Sequence, residues 1–582
     1  MQYSLTLARR YLGYLWPHRW QMLAVFVLSG AAALLGAVNP YVSRFVVDRG
    51  LLGRDPQLFL LLMGAVGAIF LLTSGVMHGQ EYLRQTVDLH VGRDLQRDAL
   101  RQLLGADLAA LRRQASGDRL YRVNYDVSRI SELVTTVPPQ SVALICQALL
   151  ALALIWHLHW LLAIGAIAVV PMLYIPRRAV ARRLRDLYGA WVRQAQHAHR
   201  WWVEVLSRIH VIKACGTEQT EVRRQEQRLD AALDVKLHTA RVEAGSRWLL
   251  EAIQRGAAGL LACYGGYLVI RGALTLGELT AVMLYVRQLV AVQGELGRLA
   301  QTIAVGLVSC DRVEEILSTS PAIREAVPAV HRVFHGGAVH MRDVSFAYLP
   351  GQPVLERCSL EIPAAAHVAL VGPSGCGKTT LVHLLLRLYE PDHGVVLIDG
   401  HDVRDLSWRS LREQIGVAYQ KPWLWNETIE YNLRYGRPEA TSEDVQEVAE
   451  LCGVAPFVER LPEGYAMVVG EDACRLSEGQ QQRIAIARAL LKQPRLLVLD
   501  EAMASLDAES EERIITRIRE THPATTLIVV SHRWATVARA EMVYYLQRPD
   551  AVAVGTAAAL AERDVAFRAL FQADAPTTGN IA

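Results

Sequence analysis

The first half of this chain carries six apolar stretches, at about 21–47, 58–80, 138–156, 160–176, 247–270 and 276–300. Each is close to the roughly 20 predominantly apolar residues that a helix needs to cross a bilayer. They therefore read as spanning helices. The gaps between them are very unequal. Those around Asp48–Gln57, His157–His159 and Arg271–Thr275 are short, whereas 81–137 and 177–246 are long, polar and arginine-rich. An excess of arginine marks the cytoplasmic side, so the long segments and both chain ends are expected inside. Gly and Pro are sparse in them, and Val91, Leu95, Ala99 and Leu103 recur every four residues. That spacing predicts spans that continue as helices beyond the membrane, a folded soluble insertion being the other reading.

A chain of 582 residues is too long for a single core. Its formal charge of +3 excludes a nucleic-acid binder held by a broad basic surface. Eight cysteines are scattered with no CxxC pair, which favours isolated thiols over disulfides or a zinc site. Residues 1–20 lack the small-residue cleavage site of a signal peptide. With Arg10, Arg19, Tyr14 and Trp16 they suit a helix lying on membrane lipid.

Polar residues inside spans are costly and tend to face a bundle interior or a cavity. Arg287 and Gln288 interrupt the sixth stretch, and Gln254 with Arg255 opens the fifth. These four are the candidate cargo-cavity residues, structural pairing or snorkelling being the competing explanation for Arg287.

Beyond turn-forming Ser320, Pro321, Pro328 and Gly336-Gly337 the pattern becomes α/β. His367–Val371 reads as a buried strand feeding directly into GPSGCGKT, which is Gly372, Pro373, Ser374, Gly375, Cys376, Gly377, Lys378 and Thr379, with Thr380 behind them. A strand, a glycine-rich turn and a helix make a phosphate cradle of backbone N–H groups at a helix N-terminus. Lys378 is placed to reach the outer phosphates of ATP and Thr379 to put a hydroxyl on Mg²⁺. Cys376 reads as a small filler. Two further apolar strands end in Asp500-Glu501 and in Ser531-His532. Asp500 suits Mg²⁺, Glu501 suits a general base for the attacking water, and His532 suits a γ-phosphate contact. In an open α/β sheet the ligand belongs at such strand ends.

With these motifs the chain resembles the exporters of the ATP-binding cassette (ABC) family, over essentially its whole length. Leu476–Gln480, LSEGQ, resembles the family signature. Weaker landmarks agree in order and spacing, among them Gly117 to Asp126, Ile212 to Glu218, Leu274 to Glu278 and Asp311 to Val313. The resemblance implies a multidomain fold: an all-α transmembrane domain of six spans with long cytoplasmic extensions (1–317), a linker (318–337), an α/β P-loop ATPase domain (338–575) and a tail (576–582). It implies Tyr348 as the ring under adenine, Gln420 as a residue that senses Mg²⁺ and water, and Ala504–Asp507 as the D-loop. It places Ser477, Gly479 and Gln480 against the ATP of an opposite subunit, and coupling helices near Tyr121–Val127 and His210–Gly216. Each motif occurs once, so the chain is expected to be a half-transporter, most simply a homodimer subunit, in a bacterial inner membrane, exporting a small molecule, lipid or peptide by alternating access. A metal-chelate importer, an ATP-gated channel and a heterodimer with an asymmetric site are the alternatives. Two departures stand out. Glu478 replaces the first glycine of the signature, and Asp472-Ala473 stands where the family has Arg-Gly.

Overall fold

The computed structural model describes residues 10–112, 121–318 and 330–571, together with Arg119, Ile323 and Glu325. The expected tail at 576–582, part of the expected linker, Gly117 and the side chain of Asp472 lie outside the described residues. Contacts divide the chain into two compact units, Met1–Leu104 with Ser116–Thr319, and Gly105–Ala115 with Ser320–Ala582.

The first unit is helical. It comprises α1 (Arg19–Phe45) and α2 (Pro56–Gly105), then, past the short α3 (Leu108–Arg112), α4 (Val127–Leu158), α5 (Trp160–Ser207), α6 (Ile209–Cys215), α7 (Glu218–Ile270) and α8 (Leu276–Leu317). The six apolar stretches fall in these helices, except that the first ends two residues past α1, in a π-helical turn over Val46–Leu51. At 50 residues α2 is about 75 Å long, more than twice the thickness of a bilayer core. The continuation of the spans as helices is thus a matter of length, not of inference from periodicity alone. Val91, Leu95 and Ala99 are fully buried, and Val91 and Leu95 cluster with Ile130 and Val134 of α4 and Val313 of α8. Arg10–Leu51, Pro56–Gly105 and Arg122–Leu158 are each long and apolar enough to cross a membrane, and the apolar part of α5, Trp160–Leu173, is shorter. The fifth and sixth stretches fall short of that measure, with Gln254-Arg255 and Arg287-Gln288 interrupting them.

Termini in this unit have identifiable causes. Thr275 caps α8 in a capping box with Glu278. Asp48 accepts from Thr275 Oγ1 at 2.6 Å and from the Gly277 amide at 2.7 Å, and Arg44 pairs with Glu278 at 2.9 Å. A Cβ on Gly277 would lie 2.3 Å from the Arg44 carbonyl, so only glycine permits this close approach. Gly216, at φ +64°, ends α6. Near the N-terminus, Trp16 and Trp20 are exposed and the Arg19 guanidinium lies 4.9 Å from the Trp16 ring centroid.

The second unit is α/β. Strands β1 (Val339–Leu349), β2 (Gln352–Ile362), β4 (His393–Ile398) and β5 (His401–Asp402) form an antiparallel sheet in the order β2-β1-β4-β5. A six-stranded sheet has the order β10-β9-β3-β8-β7-β6, from β3 (His367–Val371), β6 (Ile415–Ala418), β7 (Leu496–Asp500), β8 (Thr526–Val530), β9 (Met542–Arg548) and β10 (Ala551–Gly555). The three strands expected from the sequence, β3, β7 and β8, are adjacent, parallel and buried along their whole length. Their uninterrupted apolar character is what a strand covered on both faces requires.

The turn at Tyr121–Val127 belongs to the helical unit, as a π-helical turn into α4 in which buried Asp126 accepts from Ser309 Oγ at 2.8 Å. It is α3 that groups with the α/β unit. There Leu108 and Ala109 pack on the β1–β3 core, and Asp107 accepts from the Ile323 amide at 3.1 Å. Buried Asp126 thus anchors 121–127 to α8 within the helical unit.

Candidate nucleotide site

Register brings the chemistry together. Leu370 lies opposite Val530 and Asp500 lies opposite Val530, so β3, β8 and β7 end at one edge. On β6, Ala418 lies opposite Leu499, which carries exposed Gln420 to the same edge. The P-loop, Asp500-Glu501, Ser531-His532 and Gln420 are therefore neighbours by topology.

The P-loop glycines have separate reasons. A Cβ on Gly372 would lie 2.6 Å from Cys376 Sγ and 2.7 Å from the Leu546 carbonyl. Gly375 and Gly377 have φ of +84° and +103°, a region that L-residues rarely adopt. Gly377 opens the helix Lys378–Leu385. Buried Lys378 folds its ammonium onto the loop, donating to the carbonyls of Gly372 at 2.8 Å and Pro373 at 3.1 Å. Phosphate oxygens are stronger acceptors for the same donors. Cys376 is buried, and burial pushes its thiol up, which suits the inert filler expected.

Thr379 Oγ1 donates to Asp500 Oδ2 at 3.0 Å. Burial raises the Asp500 carboxyl, the nearby Glu501 adds to this, and the Thr379 bond and Lys378 oppose it. A buried carboxylate beside a hydroxyl is a hard-oxygen pair that fits Mg²⁺. Glu501 sits at φ +51°, unusual for a residue with a Cβ. Its amide donates to the Val530 carbonyl at 3.1 Å and its Oε1 lies 3.0 Å from His532 Nε2. A carboxylate and an imidazole in contact at the phosphate edge can take a proton from water and orient it.

Tyr348 is anchored by its hydroxyl, 3.1 Å from both Thr380 Oγ1 and His383 Nδ1. Its ring meets Phe346 and Tyr389 edge-on, and the residue remains 39% exposed, which suits stacking on a base.

The signature lies apart from the P-loop. Ser477 caps the 14-residue helix Glu478–Leu491 in a capping box: its Oγ accepts from the Gln480 amide, and Gln480 Oε1 accepts from the Ser477 amide at 2.9 Å. Ser477, Gly479 and Gln480 line a cavity of ≈ 280 Å³ that shares no lining residue with Gly372–Thr379 and does not include Glu478. A Cβ on Gly479 would lie 3.2 Å from the Ser505 carbonyl, so the helix abuts the Ala504–Asp507 segment. Sequence reading passed over Gln482 and Arg533, both of which grip that segment. A polar residue within an apolar helix, and an arginine beside the strand-end histidine, were the available signals.

The four candidate cargo residues disperse. Arg287 is exposed, and Gln288 packs beside Gly36, 3.7 Å from where its Cβ would stand. Arg255 pairs with Glu251 at 3.5 Å, and Gln254 is half-buried. The large cavity of the helical unit, ≈ 830 Å³, is lined by none of them. Its polar walls come mostly from α2 and α4, including Glu81, Arg84, Asp88, Glu132 and Thr136, with Ser29 of α1 and Glu295 of α8.

The comparisons bear on both units. The family profile "ABC transporter transmembrane region" matches residues 22–292, and "ABC transporter" matches 355–504. An ATP-dependent lipid A-core flippase from Syntrophus aciditrophicus is 31% identical over 569 residues, covering 96% of this chain and 92% of that protein. A fatty acid ABC transporter ATP-binding/permease protein from Mycobacterium bovis is 33% identical over 457 residues, 77% of this chain and 71% of that one. The solved structure of a bacterial Atm1-family ABC exporter with ATP bound superposes with TM-score 0.85 at 26% identity, covering 97% of this chain and 99% of that chain. The chain belongs to the ABC transporters, as an integral membrane, ATP-hydrolysing exporter that carries its transmembrane region and its ATPase in one polypeptide.

Proposed function

We propose that two copies of this chain form an exporter of an amphiphilic, lipid-like molecule in a bacterial cytoplasmic membrane, with each ATP held between the P-loop of one copy and the signature of the other. What carries this reading is the separation of two half-sites: the P-loop with Glu501 and His532 at one sheet edge, and Ser477 with Gly479 in a different cavity. A two-fold pair is the simplest closed assembly that completes both. The amphiphilic cargo is supported by what the flippase and the fatty acid transporter are named for, and by a cavity with both polar and apolar walls.

The residues act as follows. Tyr348 stacks on the base. The P-loop amides and Lys378 hold the phosphates, Lys378 exchanging its loop carbonyls for phosphate oxygens. Thr379, Asp500 and Gln420 would hold Mg²⁺, which supplies charge neutralisation at the β- and γ-phosphates. Glu501 takes the proton of the attacking water, and His532 keeps that carboxylate oriented toward the γ-phosphate. ATP favours the closed pair of ATPase domains because it gains contacts from both chains only there. We assign α3 and α6 as the elements that carry closure to the helical unit.

Mixed dimers test the shared site. In a Glu501→Gln background, Lys378→Ala and Ser477→Arg chains each lose ATP occlusion. Co-assembled, they restore one intact site, so one ATP per mixed dimer is expected. Folded mixed dimers that occlude none would overturn the reading. Flux of labelled lipids and fatty acids in proteoliposomes checks the cargo class.

A further inference from the structure

The segment that follows Glu501 is held from outside by two side chains. Arg533 donates through Nη2 to the Ala504 carbonyl at 2.9 Å and through Nη1 to the Leu506 carbonyl at 2.8 Å. The amide between them, Ser505 N, donates to Gln482 Oε1 at 3.0 Å. Three consecutive residues thus give a main-chain polar group each to residues remote in sequence. Arg533 is itself fixed, because Nη1 also meets Glu511 Oε2 at 2.7 Å, and that carboxylate is buried and held by Thr536 Oγ1. Gln482 is 1% exposed in the signature helix.

Each grip has a catalytic neighbour. Arg533 follows His532 directly, and the Ala504 amide donates back to the Glu501 carbonyl at 3.2 Å. On the other side Gly479 packs against Ser505, with room for no more than a tight Cβ. A shift of Ala504–Leu506 therefore moves the turn that carries Glu501, and it meets Gly479 in the helix that starts at Ser477.

We propose that Gln482 and Arg533 are positioning residues that clamp Ala504–Leu506, so that the Glu501–His532 pair of a chain and the signature it offers to its partner move as one body. This rests on the reading of a site shared between two chains. The planar fork of arginine suits two carbonyls and a carboxylate together, whereas one lysine ammonium cannot span both carbonyls. Misplacing a reacting group by about 1 Å costs about 100-fold in rate, and a loosened clamp acts in this way.

The test uses the full chain in lipid nanodiscs. Arg533→Lys keeps a cation beside Glu511, so the buried carboxylate is not left unpaired. Gln482→Met fills the same space without an acceptor for Ser505 N. Both variants are expected to lose about 10- to 100-fold in kcat, with KM for ATP within about two-fold and ATP still raising Tm as in the parent. A merely structural role would lower Tm and raise KM together, and that result overturns the proposal, as does a kcat within two-fold of the parent for either variant. The parent's own hydrolysis and mixed-dimer occlusion report on the shared site separately. If those hold while the variants stay fast, only the clamp is wrong.

Discussion

Replacing Glu501 with glutamine separates catalysis from stability. Glu501 and His532 are 3.0 Å apart with side chains 25% and 40% exposed. A contact this open contributes at most about 1 kcal/mol, and glutamine retains a hydrogen-bonding partner for the ring. The fold and ATP affinity should therefore change little. Losing a general base costs about 10²- to 10⁴-fold in rate, roughly 3–5 kcal/mol on the barrier. The kinetic effect exceeds the structural one several-fold, so Glu501→Gln should occlude ATP, show a Tm within a few degrees of the parent, and turn over at most one hundredth as fast. The φ of +51° is no extra obstacle, because glutamine meets the same steric cost as glutamate there. The assay is steady-state ATPase in nanodiscs beside nucleotide retention and thermal melting. A variant with unchanged Tm that keeps more than about a tenth of parental turnover would refute the assignment, since it lies far above the range for a lost base.

Gly377→Ala should abolish ATP-induced stabilisation and lower stability by about 1–3 kcal/mol, because its Cβ would lie 2.9 Å from Leu355 Cδ2 at φ +103°; thermal melts with and without ATP decide it. Burial pushes the imidazole of His367 down to about 4, with Arg519 reinforcing and Glu541 opposing. The unfolded chain then binds more protons between about pH 4 and 6.5, so this contribution is complete above pH 6.5 and is lost as pH falls toward 4, by up to about 3 kcal/mol. Comparing denaturant melts of the parent and His367→Gln at pH 7 and 4.5 isolates it, and equal acid sensitivity would count against it. Glu478→Gly should leave ATPase within about two-fold and cost less than about 1 kcal/mol through the lost first-turn charge; a tenfold faster enzyme would show that the carboxylate faces the nucleotide.

Much of the α/β unit was legible because its signals are local. A buried parallel strand must be apolar throughout, and the residue after it must turn, so β3, β7 and β8 announce both themselves and the residues at their ends. The long helices were legible for a similar reason, as Val91, Leu95 and Ala99 show. What resisted was any feature fixed by side chains remote in sequence. Asp126 reads as a polar residue in a plausible turn until Ser309 is seen against it. Arg287 and Gln288 were conspicuous as polar residues within a span, yet the large cavity is walled by Glu81, Arg84 and Glu132 from segments assigned to extensions. Hydropathy flags polar residues where they are rare and cannot rank them where they are common.

The position of Glu478 follows from the same geometry. In the signature the capping box of Ser477 and Gln480 fixes the first turn whatever stands at 478. Position 479 is different, since the helix meets Ser505 there at a distance that only glycine makes easy. The two glycine positions of the family motif therefore carry unequal constraints in this chain. The first can give way to a carboxylate, which is exposed on this chain and favours the helix N-terminus. The second keeps the helix against the segment that leads back to Glu501. Loss of the first is a change at an exposed position, whereas loss of the second would press on the segment that leads back to Glu501.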